Sequence, residues 1–176
     1  MTTETPIKQD RIVGDPARSY SLAEREGQPA RWWLGGHLAI KARAADTDGR
    51  FCQIEFTDPC GNAPPVHVHR WEDETFYVLE GLVTVFIGDA RIDASPGEFV
   101  FMPRDVPHSY LVRSEHARAL VTYAPAGVEQ FFADMGAPVA DPDRPPAPIV
   151  PDHDTFVREM ARYGVELVGP PPTLEQ

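Results

Sequence analysis

The chain has 176 residues, a length that suits one domain with a single hydrophobic core. Sixteen basic against twenty-seven acidic residues leave a formal charge of −11, which repels polyphosphate and anionic lipid and argues against nucleic-acid and membrane-surface roles. No run approaches ~18 apolar residues, and the first ten residues lack a basic and then apolar leader, so a soluble cytoplasmic protein is expected.

Residues 1–14 are polar and read as a flexible arm. From Trp32 to about Tyr123 the chain reads as short strands divided by turns. Residues 50–56 form the first clear strand. Residues 76–79 and 82–87 flank a hairpin turn at Glu80 and Gly81. Further strands are expected at 91–93, 99–102, 108–112 and 119–123, with turns at 88–90 and 95–97. Strands every ~8–12 residues suit a sandwich or barrel, and the gaps leave no room for the helices of a parallel α/β sheet. Nineteen prolines also argue against a helical bundle, because proline breaks helix interiors.

After Pro125 the pattern changes. Val128, Phe131, Phe132 and Met135 recur at helical spacing over 127–135. Residues 136–151 read as an irregular strap, and nine of the prolines lie at or beyond Pro138. A second helix is expected over 154–163, with Asp154 as its N-cap and Gly164 as its stop. The expected organisation is therefore an arm (1–14), an all-β domain (15–125) and a carboxy-terminal part (126–176) of short helices and strap packed on it.

The stretch that carries chemistry runs from Gly61 to Gly81. On a strand, His67 and His69 point to the same face, because side chains alternate with period two. Two imidazoles on one face, a nearby carboxylate and the third imidazole of His108 suit Fe, Mn, Ni, Co or Zn, and suit Ca or Mg poorly. The bland alternative is a set of hydrogen-bonded structural histidines. Glu72 and Asp73 compete locally with Glu74. Strand phase favours Glu74, which shares the inward face with Phe76 and Val78, while Thr75, Tyr77 and Leu79 point outward. Glu72 reads as a loop carboxylate. His108, Tyr110 and Val112 share a face by the same argument, and Tyr110 is either a cavity-lining residue or a packed aromatic. Arg104 and Asp105 read as a turn ion pair. Cys52 and Cys60 read as buried free thiols, and His37, His116 and His153 as ordinary histidines.

These residues resemble the cupin superfamily. Its first motif is a glycine, five residues, His-x-His, three or four residues, a glutamate, six residues and a glycine. Gly61, His67, His69, Glu74 and Gly81 match every interval. In the second motif Gly97, Pro103 and His108 match, whereas Asp105 replaces an inner glycine and Val112 replaces an asparagine. The segments 74–81 and 162–171 look like those of single-domain cupins described as quercetin 2,3-dioxygenase-like. The resemblance implies an antiparallel jelly-roll β-barrel with one divalent transition metal inside, held by His67, His69, Glu74 and His108. It further implies a metal-dependent dioxygenase for an enol- or phenol-type, flavonol-like small molecule. Glu74 would be both ligand and general base, and Phe76, Val78, Val100 and Tyr110 would line the pocket. The alternatives are a non-redox metal-assisted cyclase, isomerase or lyase of a polyketide- or sugar-like substrate, and a non-catalytic small-molecule-binding module. Cupins also commonly pair, so a homodimer is expected, with the arm and the Trp32–Trp33 pair as candidate contacts.

Overall fold

The computed structural model describes residues 18–141, 143–147 and 152–176, so the arm expected at 1–14 lies outside the described residues. The elements in chain order are β1 (Ala30–Trp33), β2 (Gly36–Ala42), α1 (Ala44–Thr47), β3 (Cys52–Pro59), β4 (His67–His69), β5 (Asp73–Glu80), β6 (Val83–Ile87) and β7 (Ala90–Ala94). They continue with β8 (Phe99–Met102), β9 (His108–Val112), β10 (His116–Ala124), α2 (Glu129–Met135), β11 (Ala137–Pro138), α3 (His153–Arg162) and β12 (Val165–Leu167). The strands expected between residues 50 and 123 are all present. The β1–β2 hairpin, with Leu34 and Gly35 at its turn, and the closing strand β12 are additions that the sequence pattern had not singled out.

The strands pair antiparallel in two sheets, one of order β11-β1-β2-β3-β10-β5-β8 and one of order β12-β4-β9-β6-β7. This is the jelly-roll β architecture expected, with one correction. Among the described residues the ladders stay in two sheets and do not close into a single barrel. The chain crosses between the sheets through loops, as between β3 and β4 and between β5 and β6. Side chains join the layers. Leu38, Ile54, Phe76 and Val121 from the larger sheet form one buried cluster with Val83, Val85 and Val112 from the smaller one. Period-two alternation produces this layer. Along β5, Glu74, Phe76 and Val78 are buried and Tyr77 is exposed, the phase expected from the sequence.

The helix α3 is capped by Asp152, whose Oδ1 accepts from the Thr155 amide at 3.0 Å, and not by Asp154. Asp152 sits three residues before a free amide of the first turn. Gly164 follows the helix at φ +71°, as a stop requires. Trp33 packs inward against Phe131 at 5.2 Å and Phe156 at 5.9 Å between ring centroids and so contributes to the inner wall. Among the described residues no helix is long and apolar enough to cross a membrane.

Candidate metal centre

Three strands converge on one point between the sheets. β4 supplies His67 and His69, β5 supplies Glu74 and β9 supplies His108. His67 stands directly across from His108 in the β4–β9 ladder. Each of the four residues is buried, and one potential ligand atom of each lies within 4.8 Å of all the others. Glu74 Oε2 lies 3.3 Å from His69 Nε2 and 3.1 Å from His108 Nε2.

The outer nitrogens of the three rings are all engaged. His67 Nδ1 lies 2.8 Å from the Pro65 carbonyl and His108 Nδ1 lies 2.9 Å from the Val106 carbonyl, each two residues upstream. Since a carbonyl only accepts, both rings carry a proton on Nδ1 and turn Nε2 inward; His67 Nε2 keeps a free lone pair, and His108 Nε2 donates to Glu74 Oε2 until that proton is released. His69 Nδ1 faces Glu72 Oε2 at 3.3 Å. Three inward nitrogens on rings oriented from behind, with one carboxylate, fit a borderline divalent transition metal. Electrostatics agree. Burial, aided by His108 and His69, pushes His67 down to about 3 and keeps it a neutral donor. Burial raises the Glu74 carboxyl, but the hydrogen bond from His108 and the neighbouring imidazoles outweigh it and hold it below its usual range. Burial also opposes charge on His108, and the adjacent Glu74 carries the net shift upward.

The cluster lies in the wall of a cavity. His67, His69 and Glu74 share this wall with Asp58, Tyr110 and Tyr123. The opposite side is apolar and aromatic, with Leu38 and Phe56 from the large sheet and Phe131, Phe132, Phe156 and Met160 from α2 and α3. A model of the cupin domain matches residues 54–123, the stretch that contains all four converging residues. Residues 54–123 are a cupin domain. Quercetin 2,3-dioxygenase of Bacillus subtilis (strain 168) is 29% identical over 157 residues, which cover 89% of this chain and 46% of that protein, so the chain spans about half the length of this curated relative. Among solved structures, Streptomyces PAC13 with uridine aligns at a TM-score of 0.52 and 16% identity, over 64% of this chain and 86% of its own. An RmlC-like cupin from Shewanella frigidimarina aligns at 0.50 and 18% identity, over 61% and 96%. Both likenesses show the fold.

Several expectations change around this domain's cluster. Tyr110 lines the cavity, but Phe76, Val78 and Val100 do not. They are 2%, 0% and 4% exposed and belong to the core between the sheets. The inward face of β5 passes from cavity to core after Glu74. Glu72 is in a loop as expected, yet it is 2% exposed and turned back onto His69. Arg104 pairs with Asp73 at 2.8 Å, while Asp105 pairs with Arg70 at 2.9 Å, so the two are not partners in a turn. Asp105 adopts φ +64° where the family has glycine, a conformation that Asp tolerates better than most residues. Its amide donates to the His69 carbonyl at 2.9 Å and so ties the two motif loops together. Cys52 is buried, but Cys60 is exposed at the end of the β3 loop.

Asp58 and Tyr123 escaped sequence reasoning. Tyr123 stands opposite Glu74 in the β10–β5 ladder, and its ring lies 5.4 Å from His69. The one available signal was its place on a strand two residues beyond Val121, the inward phase of β10.

Proposed function

We propose that this cupin is a metal-dependent dioxygenase acting on an enol- or phenol-type small molecule, with His67, His69, Glu74 and His108 holding the metal. The observation that carries the reading is the set of inward imidazole nitrogens and one carboxylate in the wall of an aromatic cavity. The relative named quercetin 2,3-dioxygenase supports the reaction class. A bound redox-active metal supplies a Lewis acid for an ionised oxygen and an electron path to dioxygen. The chain supplies the rest. Phe131, Phe132 and Phe156 shed water around a flat apolar substrate and hold it against the polar wall. Glu74, ionised at neutral pH, takes the hydroxyl proton on a carboxylate oxygen and later returns it. Both atoms of dioxygen enter the product, so no other oxidant is needed.

Oxygen uptake by protein loaded in turn with Fe, Mn, Co, Ni or Zn, in the presence of flavonol-like compounds, tests this. Uptake coupled to substrate loss with a redox-active metal, and none with zinc or with stripped protein, is the expected result. Turnover of the same compounds by the zinc form without oxygen would instead establish non-redox cyclase, isomerase or lyase chemistry. No turnover with any metal would leave a binding module.

A further inference from the structure

Asp58 is the only carboxylate besides Glu74 among the described residues that line the cavity. It projects from β3 in the large sheet and meets Tyr110 from β9 in the small one. The Tyr110 hydroxyl donates to Asp58 Oδ2 at 2.6 Å. The Asn62 side chain donates to the same carboxylate. A Cβ on Gly36 would overlap Asp58 Oδ1, so the bare glycine backbone is what admits the carboxylate to this corner.

A carboxylate offers about four acceptor sites, and these two donors use two. Burial pushes the Asp58 carboxyl up to about 6, and no cation is among the influences on it. The group therefore sits in the wall uncompensated, with acceptor capacity left over. A structural residue of this size would be cheaper if apolar. A carboxylate retained at such a cost beside a cavity is a binding group. Tyr110 is two residues from His108 on the same strand, so the Asp58 corner lies roughly 7 Å along β9 from the cluster.

We infer that Asp58, flanked by Tyr110 and Asn62, is a second polar subsite that accepts a hydrogen bond from a neutral hydroxyl of the substrate. The substrate class is then an enol or phenol with at least two hydroxyl groups, one ionised at the His–Glu cluster and one donating to Asp58. This rests on the reading of the cluster given above.

Ligand binding without turnover separates the two. Tryptophan-fluorescence titrations of the metal-loaded protein, with oxygen excluded, would compare 3-hydroxychromone with its isomers carrying a second hydroxyl. At least one isomer is expected to bind about tenfold tighter. Replacing that second hydroxyl by fluorine, which cannot donate, should abolish the gain on the unmodified protein. Asp58→Asn should abolish it too. Retention of the gain by the fluoro compound, or by Asp58→Asn, overturns the subsite, as does the absence of any favoured isomer. Failure of the cluster reading shows differently, as equal binding of 3-hydroxychromone to metal-loaded and metal-stripped protein.

Discussion

The His69 ring turns its Nδ1 toward Glu72 Oε2, at 3.3 Å, in a pocket where both side chains are almost fully buried. Glu72 thereby orients the ring, the role that carboxylates behind ligating histidines commonly play. Glu72→Gln is expected to weaken metal binding roughly 10- to 100-fold. A chelator competition measures this, and the visible bands of the cobalt-loaded protein report whether the ligand field changes with it. Unaltered affinity and bands would reduce Glu72 to a packing residue.

Metal uptake should also move protons. In the metal-free protein, His108 is held above its ordinary value by Glu74, so its charged form persists toward neutral pH. The stability drawn from that pairing is present at pH below the ordinary histidine value and is lost as pH rises through the raised one. Binding of a cation requires neutral imidazole, so loading at mildly acidic pH is expected to release about one proton from this site. Calorimetry in buffers of different ionisation enthalpy counts it. His67, already neutral, should contribute nothing.

Asp58 gives a stability prediction of opposite sign to most carboxylates. Its folded-state value is raised from 3.8 to about 6, so folding favours the protonated form. The associated stability is full below about pH 4 and is lost as pH rises through about 6. Two units correspond to roughly 3 kcal/mol at most. Asp58→Asn lacks this loss. Its melting temperature relative to the parent protein should therefore climb between pH 4 and pH 7, while hydroxyl recognition is sacrificed. A constant difference across that range would contradict the assignment.

Phe76 and Phe132 separate core from cavity. Phe76→Ala is expected to cost about 3–5 kcal/mol in denaturant titrations, because the residue is 2% exposed between the sheets. Phe132, half-buried on α2, should cost less on truncation and alter ligand affinity instead. A larger stability loss for Phe132→Ala would reverse that division.

The His–Glu cluster was legible because it obeys local rules. His67 and His69 share a strand face by alternation, and the family intervals bring in Glu74 and His108. What was not legible depends on folding at a distance. Asp58 meets Tyr110 across 52 positions of sequence, and nothing near Asp58 announces a cavity. Glu72 lies in a loop whose return onto His69 no periodicity encodes. The inward phase of β5 was read correctly, yet alternation cannot tell cavity from core, so Phe76 and Val78 were placed in the wrong one. The aromatic wall comes from α2 and α3, whose apolar faces were visible but whose docking partner was not. Asp105 looked like a departure from pattern, and its φ of +64° shows that it keeps the turn's backbone form with a different side chain.

The strand that carries His67 and His69 is only three residues long, and its ladder to β9 holds one matched pair. Its fuller partner is β12, where Val165 stands opposite His69 and Leu167 opposite His67. A chain emerging during synthesis cannot complete this flank until residues 165–167 have been made, long after the large sheet can begin to form. On the proposed reading, an ion would therefore be captured late in biogenesis, by a nearly finished molecule that it does not nucleate.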